Sequence, residues 1–428
     1  MLGKVFLTMV VALVITIPVG VVLFMSALVP HLFQPGFPAN AGWLLRQVLG
    51  AVDSTPLLAV PMFVLSGILM ARGGVSEKLF NVFTFFIGKV TGGMPCAVVC
   101  TCLFYGAISG SAPATTAAVG AMTVPLLVSL GYDLGFCASL LAISGGLGVI
   151  IPPSIPFIIY SMTSNVSVGA MFIAGIIPGL LIGACLMIYA WYYCKTHGED
   201  KEKINASVDA LRAKGFWKVL QDSIWALLSP VIILGGIYGG IVTPTEAAVI
   251  SVLYAFIICL FVYRSLKFKD IYPVLVHAVE TYAPLLLILG TATAFGRVLT
   301  MLQAPQQVAS YLTIVFTNKV ALLLVINFFL LFVGMIIDTS PAILILTPIF
   351  LPIMQKFGMD PVHFGIMMVV NLAIGFVTPP VGINLYVASS MTKLPVLTIA
   401  KKAVPFMIAF IIALMLITFV PQISLGLL

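Results

Sequence analysis

The sequence predicts an all-α, polytopic membrane protein built from two inverted structural repeats, with re-entrant helical hairpins and broken helices. Its composition is the first reason, because 61% of the 428 residues are hydrophobic, only 8% are charged, and the mean hydropathy is +1.21. Water-soluble domains do not have this composition. Helix-breaking residues that recur in register are the second reason, and two proline pairs within apolar segments are the third.

An internal duplication relates the two halves of the chain. The proline pairs Pro152-Pro153 and Pro379-Pro380 lie 227 positions apart. The same offset relates further turn-forming residues: Pro125 with Pro352, Gly131 with Gly358, Asp133 with Asp360, Gly148 with Gly375, and Pro178 with Pro405. Apolar residues would match by chance in such a chain, but Gly, Pro and Asp would not. Duplicated halves with matched helix breaks are typical of secondary transporters, whose repeats are often inverted.

Charge and hydropathy divide the chain into five segments. We expect an N-terminal scaffold helix and connection at 1–51, the first repeat at 52–194, a polar cytoplasmic loop at 195–223, scaffold helices at 224–266, and the second repeat at 267–428. The apolar run 5–29 is expected to be one retained membrane helix. Lys and Arg cluster at 195–218 and again at 264–269, two apolar segments later. The positive-inside rule predicts that both basic loops are cytoplasmic.

Each half contains a small or polar cluster that interrupts an apolar run and ends in proline. These clusters are 106–113 (GAISGSAP) and 334–341 (GMIIDTSP). Proline fits the first position of a helix that follows a Ser, Thr or Asp cap, so each cluster predicts the tip of a re-entrant hairpin. Such irregular backbone is tolerated at membrane depth only where protein or a water-filled cavity surrounds it.

The proline pairs predict broken helices. Two successive prolines remove two backbone donors, and the carbonyls before them lose their partners. A small hard cation could replace the missing hydrogen bonds, because such cations prefer oxygen ligands. A plain helical kink is the alternative, but two breaks in register, each with an upstream Ser or Asp cluster, favour ion sites. Half-helix ends would then hold cations and an anion near the membrane midplane.

Three charged positions need separate interpretation. Asp338, an ionisable residue among apolar segments, could hold a cation or could cap the helix that begins near Pro341. Its counterpart at the 227 offset is Ser111, so the two ion sites would differ in charge. Arg297 could pair with a substrate carboxylate or could anchor its helix at the membrane interface. Glu246 predicts a capping box with Thr243, which is a structural role.

Other classes of function are disfavoured by the sequence. It contains no phosphate-binding G-x-x-x-x-G-K-[ST] loop and no H-E-x-x-H string, and the basic residues form no patch interleaved with aromatics that would suggest nucleic acid. The histidines and cysteines show no spacing typical of a transition-metal site. We therefore expect a secondary active transporter in a lipid bilayer, with no cofactor, and not an enzyme.

Five strings in order make the chain resemble the large membrane subunit of a tripartite ATP-independent periplasmic (TRAP) transporter. The resemblance covers nearly the whole chain and is greatest to the sialic acid type. The strings are 106–120, 151–160 (IPPSIPFIIY), 240–248 (GIVTPTEAA), 334–348 (GMIIDTSPAILILTP) and 375–387 (GFVTPPVGINLYV).

This resemblance implies an elevator-type importer of organic acids in the bacterial inner membrane, driven by a sodium gradient. It also implies a soluble periplasmic binding protein and a small four-helix membrane subunit. We expect that subunit to be a separate chain, because the sequence begins directly with the large-subunit pattern. Sialic acid (N-acetylneuraminate) is the expected substrate. The alternative is a stand-alone sodium-coupled symporter of dicarboxylates or other divalent anions.

The resemblance also implies site residues. The first sodium site would use backbone and hydroxyl oxygens of Ser109, Ser111, Gly145, Gly148, Val149 and Ile151. The second sodium site would use Gly334, Asp338, Gly375, Thr378 and Val381. The predicted substrate contacts are Asn384, just after the second break, together with Ser154 and Arg297, of which Arg297 lies outside the five strings and is predicted from its charge alone.

Overall fold

The computed structural model describes residues 1–315 and 318–428, with side chains described for all of these except 309 and 311–315. In this part of the chain every regular element is a helix, as predicted. Five helices precede the first hairpin: α1 (Leu2–Val14), α2 (Val19–Phe33), α3 (Ala41–Val52), α4 (Ala59–Arg72) and α5 (Val75–Ile87).

The prediction of one helix over the apolar run 5–29 was wrong, because the structure divides this run into α1 and α2. Pro18 has no N–H group with which to continue a helix. Thr16 adopts a φ of 61°, which is outside the helical range. The two pieces pack against each other, and α2 also packs against a long helix from the centre of the chain, α14 below.

The first repeat contains a hairpin and a broken helix. Its helices are α6 (Gly93–Ser109), α7 (Ala112–Ser129), α8 (Leu134–Gly145), α9 (Ile155–Ser164) and α10 (Val168–His197). Only Gly110 and Ser111 separate α6 from α7, and Gly110 makes this reversal with a φ of 61°. A short 3-10 turn, Gly146–Val149, follows α8 before the chain reaches the proline pair.

Five helices lie between α10 and the second hairpin, and the last two fall within the segment 267–428 expected for the second repeat. They are α11 (Lys201–Arg212), α12 (Phe216–Tyr238), α13 (Pro244–Ile257), α14 (Phe268–Met301) and α15 (Ala304–Val315). A π turn, Ile258–Val262, extends α13. The predicted capping box at the start of α13 is confirmed, because Glu246 N donates to Thr243 Oγ1 at 3.3 Å and Thr243 N donates to Glu246 Oε2 at 2.7 Å.

The second repeat reproduces the helices of the first. Its helices are α16 (Lys319–Gly334), α17 (Thr339–Lys356), α18 (Pro361–Gly375), α19 (Ile383–Thr392) and α20 (Val396–Phe419), followed by the short α21 (Gln422–Leu425). Helices α17 and α18 begin 227 positions after α7 and α8. Both proline pairs contain a cis peptide bond. The duplication read from the turn-forming residues is therefore present in the helices.

Helix α20 shows that the repeats are inverted. Asp133, which caps the start of α8, forms an ion pair of 2.7 Å with Lys402 near the start of α20. In contrast, His363 at the start of α18 lies 3.3 Å from the Thr418 carbonyl near the end of α20. Lys402 and Thr418 are about 24 Å apart along the helix, at about 1.5 Å per residue. The two matched helices therefore begin at opposite ends of the molecule.

The long helices are suited to a bilayer. Seven helices in the described part of the chain are long and apolar enough to cross a membrane, and shorter apolar helices accompany them. The two basic loops lie at the same end, because Trp217 and Lys218 line one surface depression together with Tyr263. We call this the basic end and the other the opposite end.

Candidate functional site

The two hairpin tips face one central cavity of about 500 Å³. Ser109, Ser111 and Pro113 contribute from the first hairpin, and Asp338 and Ser340 contribute from the second. The remaining wall belongs largely to two helices outside the hairpins, α4 and α14, and includes Val64, Gly67, Ile68, His277, Thr281 and Leu285. The polar clusters of the two halves thus meet at one place.

Two helices begin at the wall of this cavity. Helix α7 starts at Ala112 and helix α17 starts at Thr339, and both residues line the cavity. Free amide groups at a helix N-terminus carry partial positive charge and bind anions. No Lys or Arg is among the described residues that line this cavity. The backbone at the two tips is therefore the main source of positive potential there.

A second, very small cavity lies behind the second hairpin tip. It measures about 10 Å³ and is lined by four of the five residues predicted for the second sodium site: Gly334, Asp338, Gly375 and Val381. A volume of about 10–15 Å³ accommodates a single water-sized particle. The fifth residue, Thr378, does not line it, since its hydroxyl donates to the Ile374 carbonyl at 2.8 Å.

Two glycines bring the backbone of the second hairpin against the second break. A Cβ atom at Gly375 would overlap the carbonyl group of Gly334. A Cβ atom at Gly334 would lie 3.2 Å from the Leu372 carbonyl oxygen. Glycine at position 375 is therefore required for the close approach that forms the small cavity, and at position 334 a side chain would fit only if its neighbours shifted slightly.

Asp338 occupies the N-cap position of α17, but its side chain makes no capping hydrogen bond to this helix. Its carboxylate has one long contact, at 3.5 Å, with the Thr339 hydroxyl. The same residue lines both the central cavity and the small cavity. The capping interpretation of Asp338 is therefore not supported, and the carboxylate is placed between an anion-sized space and an ion-sized space.

The first hairpin tip holds its polar groups differently. Ser109 Oγ lies 2.8 Å from Thr115 Oγ1, and Thr115 Oγ1 donates to the Ser111 carbonyl at 2.8 Å. Ser109 Oγ also donates to that carbonyl, at 3.3 Å. Gly148 packs against this group, because a Cβ atom there would overlap Thr115 Oγ1. Sequence reasoning missed Thr115, although its position one turn after the Ser111 cap was a signal.

The expectation of unpartnered carbonyls before the proline pairs was wrong at three positions. The Val149 carbonyl accepts a hydrogen bond from Ser154 Oγ at 2.5 Å. The Ile374 carbonyl accepts from Thr378 Oγ1, and the Phe376 carbonyl accepts from Asn384 N at 3.0 Å. Protein donors thus replace part of what proline removes. A carbonyl oxygen has two lone pairs, so the Val149 and Phe376 carbonyls each retain one site for a further ligand, whereas the Ile374 carbonyl also accepts from Val377 N at 3.1 Å and is saturated.

The structure does not bring the three predicted substrate residues together. Ser154 is buried and caps α9, with its hydroxyl bonded to Val149. Asn384 is buried and donates to the Ala142 carbonyl at 2.9 Å, and neither residue lines the central cavity. Arg297 lines a separate cavity. His277 and Thr281 do line the central cavity, and sequence reasoning missed them because α14 reads as an ordinary apolar span.

A buried pair of amides joins the second hairpin to the second broken helix. Asn371 Nδ2, on α18, donates to Asn327 Oδ1 at 2.8 Å and to the Asn327 carbonyl at 3.0 Å, both on α16. The positions matched by the 227 offset are Ser144 and Cys100. Ser144 Oγ has no hydrogen-bond partner in the described part of the chain. The first hairpin therefore lacks this connection.

Glu199 instead binds the base of the first hairpin, which is the end where α6 begins and α7 ends. Its side chain is only 1% exposed, and it accepts hydrogen bonds from Gly92 N at 3.1 Å and Tyr132 Oη at 2.5 Å. Lys201 Nζ lies 2.8 Å from its carboxylate. Burial alone would raise the pKa of Glu199, but the groups on Lys201, Tyr132 and Gly92 outweigh burial and keep the pKa below its usual value. Glu199 is thus held ionised at neutral pH.

The chain matches a family model over residues 6–423, that of the tripartite ATP-independent periplasmic transporter, DctM component. The chain belongs to this family. Together with the apolar helices, membership makes it a multi-pass protein of the inner membrane and a large permease subunit of the TRAP type. The resemblance drawn from the five strings is confirmed.

Relatives within the family are named for different substrates. The isethionate TRAP transporter permease protein DctMQ of Oleidesulfovibrio alaskensis is 42% identical over 96% of this chain, and this chain spans 64% of that protein. The C4-dicarboxylate large permease protein DctM of Pseudomonas aeruginosa is 40% identical over 87% of this chain and 86% of its own. The sialic acid large permease protein SiaM of Vibrio cholerae is 38% identical over 89% of this chain and 88% of its own.

Two solved transporters share the fold at low sequence identity. The Alcanivorax borkumensis YdaH transporter has a TM-score of 0.65 and 14% identity, with 95% of this chain and 97% of that chain covered. The Neisseria gonorrhoeae protein MtrF has a TM-score of 0.62 and 14% identity, covering 94% and 92% of the two chains. The likeness to these membrane transporters supports the all-helical transporter fold.

Proposed function

We propose that this permease subunit imports a small organic anion by an elevator mechanism that is driven by a sodium gradient. One observation carries the proposal: the central cavity lies between two helix N-termini and is separated by Asp338 from a cavity of single-ion size. Helix N-termini favour an anion. A carboxylate next to backbone oxygens favours a hard cation.

Coupling of the two solutes follows from the charge of Asp338. An ionised carboxylate in the wall of an anion cavity repels a substrate carboxylate or sulfonate, and this repulsion is strong where water is scarce. A sodium ion in the small cavity would neutralise Asp338 and would remove the repulsion. Anion binding therefore requires prior sodium binding, which prevents the substrate from crossing without sodium.

The packing of the repeats supports movement as one body. Helices α7 and α8 of the first repeat pack against α19 of the second, and α9 packs against α17. The central cavity lies between this interlocked body and helices α4 and α14. A displacement of the body along α14 would carry both hairpin tips, and the solutes between them, from one side of the membrane toward the other.

Family membership supports the proposed partners, and the names of relatives give three candidate anion classes. A small four-helix membrane subunit and a soluble periplasmic binding protein would complete the transporter, and the binding protein would deliver the anion. N-acetylneuraminate was the substrate expected from the sequence, but relatives of similar identity are named for isethionate and C4-dicarboxylates. All three anion classes therefore belong in the first uptake assay.

Reconstitution in liposomes tests the proposal. The chain is combined with the small subunit, and uptake of N-acetylneuraminate, succinate and isethionate is measured with the binding protein outside and an inward sodium gradient. We expect uptake of one anion class that stops when sodium is replaced by potassium. Uptake that persists without sodium would refute the coupling. Uptake without any binding protein would favour the stand-alone symporter.

A further inference from the structure

Arg297 lies in a cavity of about 350 Å³ that is distinct from the central cavity. This outer cavity, as we name it, is lined by Ala51 and Ser54, by Met162 and Thr163 of α9, by Leu344 and Pro348 of α17, and by Leu289, Ala292, Thr293, Gly296 and Thr300 of α14. It shares no lining residue with the central cavity. Its size is within the range of small-molecule sites.

The outer cavity lies nearer the opposite end of the molecule. Helix α14 starts at Phe268, next to the basic loop 264–269, and Arg297 is four residues from its other end. The helix rises about 24 Å from Thr281, in the central cavity, to Arg297, at about 1.5 Å per residue. Thr163 lies at the end of α9, where the chain turns into α10, and α10 returns to the basic end. With the basic loops in the cytoplasm, the outer cavity faces the periplasm.

The chemistry of the outer cavity suits an anion. Arg297 is its only charged lining residue among those that the structure describes. Thr163, Thr293 and Thr300 add hydroxyl groups to the wall. The Ser54 hydroxyl is inaccessible to solvent and has no hydrogen-bond partner within the described residues. A buried hydroxyl without a partner is costly, so Ser54 Oγ provides a donor for a ligand that enters here.

Arg297 is oriented by a neighbouring helix. Its Nη1 group donates to the Gln47 side-chain oxygen on α3, which leaves the other guanidinium donors available. A guanidinium group presents several N–H donors in a plane and binds carboxylates or sulfonates with two parallel hydrogen bonds. Helices α3 and α14 pack together, whereas α9 and α17 belong to the repeats. The outer cavity thus lies between α3 and α14 on one side and the repeats on the other, and the proposed elevator displaces these two groups relative to each other.

We infer that the outer cavity is an entry site that holds the carboxylate or sulfonate of the incoming organic anion before it reaches the central cavity. The inference rests on the proposed function for the identity of the anion. Unlike the central cavity, the outer cavity has no carboxylate among its described lining residues that would repel an anion. Binding to it is therefore independent of sodium, and this property separates the two sites.

Thiol protection tests the entry site without transport. In the Thr300→Cys variant of the purified complex, the rate of labelling by a water-soluble maleimide is measured with succinate, isethionate or N-acetylneuraminate and no sodium. The protein without this substitution gives the background from its native cysteines. We expect at least one anion to slow the labelling. A labelling rate that is the same with each of the three anions as without any anion would overturn the inference.

Substitutions identify Arg297 as the source of protection. Arg297→Gln should raise the anion concentration that gives half protection by about tenfold, and Arg297→Lys should restore part of the effect. Arg46→Gln is the matched control, because it removes a positive charge from α3 but not from the lining of the outer cavity. Protection that needs sodium and disappears in Asp338→Asn would instead report the central cavity and would overturn the inference.

Transport assays distinguish failure of the entry site from failure of the proposed function. In liposomes, Arg297→Gln should require about tenfold more loaded binding protein for half-maximal uptake, with an unchanged sodium requirement. Normal uptake by Arg297→Gln, together with no thiol protection, would reject the entry site and leave sodium-driven import intact. No uptake by any variant would reject the proposed function, and the labelling result would still decide whether the outer cavity binds anions.

Discussion

The two hairpin tips line one cavity but satisfy their polar groups in different ways. In the first hairpin, Ser109 and Thr115 hydroxyls and the Ser111 carbonyl bond to one another. In the second hairpin, Asp338 has one long contact and borders a cavity of about 10 Å³. The second tip thus places a carboxylate beside an ion-sized space, whereas the first tip carries neutral groups that are already bonded to one another. An ion at the first tip must displace hydrogen bonds, so we expect it to bind more weakly.

Asp338→Asn should have the largest effect on this difference. Loss of the charge removes a charge-assisted interaction of about 1.5–3 kcal/mol, so the sodium concentration for half-maximal uptake should rise roughly tenfold to a hundredfold. Asp360→Asn is the control, because Asp360 caps the next helix and asparagine caps equally well. Sodium dependence that is the same in both variants would mean that Asp338 does not bind the ion.

Gly375→Ala should have the next largest effect. The added methyl group would overlap the Gly334 carbonyl and separate the hairpin from the broken helix, which costs about 1–3 kcal/mol by overpacking. Gly146→Ala is the control in the first break, because a Cβ atom there meets neighbours at an ordinary 3.7 Å. Thermal unfolding in detergent should show a lower midpoint for Gly375→Ala alone. Equal midpoints would show that the second tip can relax.

Glu199→Gln tests the base of the first hairpin. Since the pKa of Glu199 is below its usual value of 4.5, the ionised side chain stabilises the fold above that pH, and the stabilisation is lost as the pH falls through the lowered pKa. We expect the unfolding midpoint of the parent protein to drop more steeply below pH 4.5 than that of Glu199→Gln. If the unfolding midpoints of the two proteins fell in parallel with pH, a group other than Glu199 would control the loss of stability in acid.

Ser109→Ala should have the smallest effect. It removes one neutral oxygen and leaves Thr115 bonded to the Ser111 carbonyl, a change of about 1 kcal/mol or a few-fold in sodium affinity. Ser139→Ala is the control, because the Ser139 hydroxyl is buried and bonds only within α8. If Ser109→Ala lowered the sodium affinity more than Asp338→Asn does, the first tip and not the second would be the stronger sodium site.

Much of the fold could be predicted from the sequence because glycine and proline restrict the backbone directly. The repeats, hairpins and breaks all follow from residues such as Pro113 and Pro379. The division of the first apolar run was missed, since Pro18 within a hydrophobic segment is compatible with either a kinked or a divided helix. The capping box at Thr243 was predicted in full, because it depends on residues three positions apart.

The site was predicted where it depends on local backbone and missed where it depends on tertiary packing. Four of the predicted residues that line the small cavity follow from the break and the tip. His277 and Thr281 face the cavity only because α14 packs beside both hairpins, and no local pattern marks them. Arg297 and Asn384 were grouped with one substrate pocket, but the rise of α14 and the burial of Asn384 separate them. Distances between elements are absent from a linear pattern.

The amide pair Asn327 and Asn371 has a consequence for gating. If the second hairpin swung away from α18, both amides would lose buried hydrogen bonds, at a cost of about 1–3 kcal/mol for each unsatisfied group. No such bond joins Ser144 to the first hairpin. We therefore expect the tip of the first hairpin to open more readily than the tip of the second, although Glu199 holds the base of the first, and amide hydrogen exchange should be faster at the end of α6 than at the end of α16. The two duplicated halves would then differ in mobility as well as in charge, with the more rigid tip carrying Asp338.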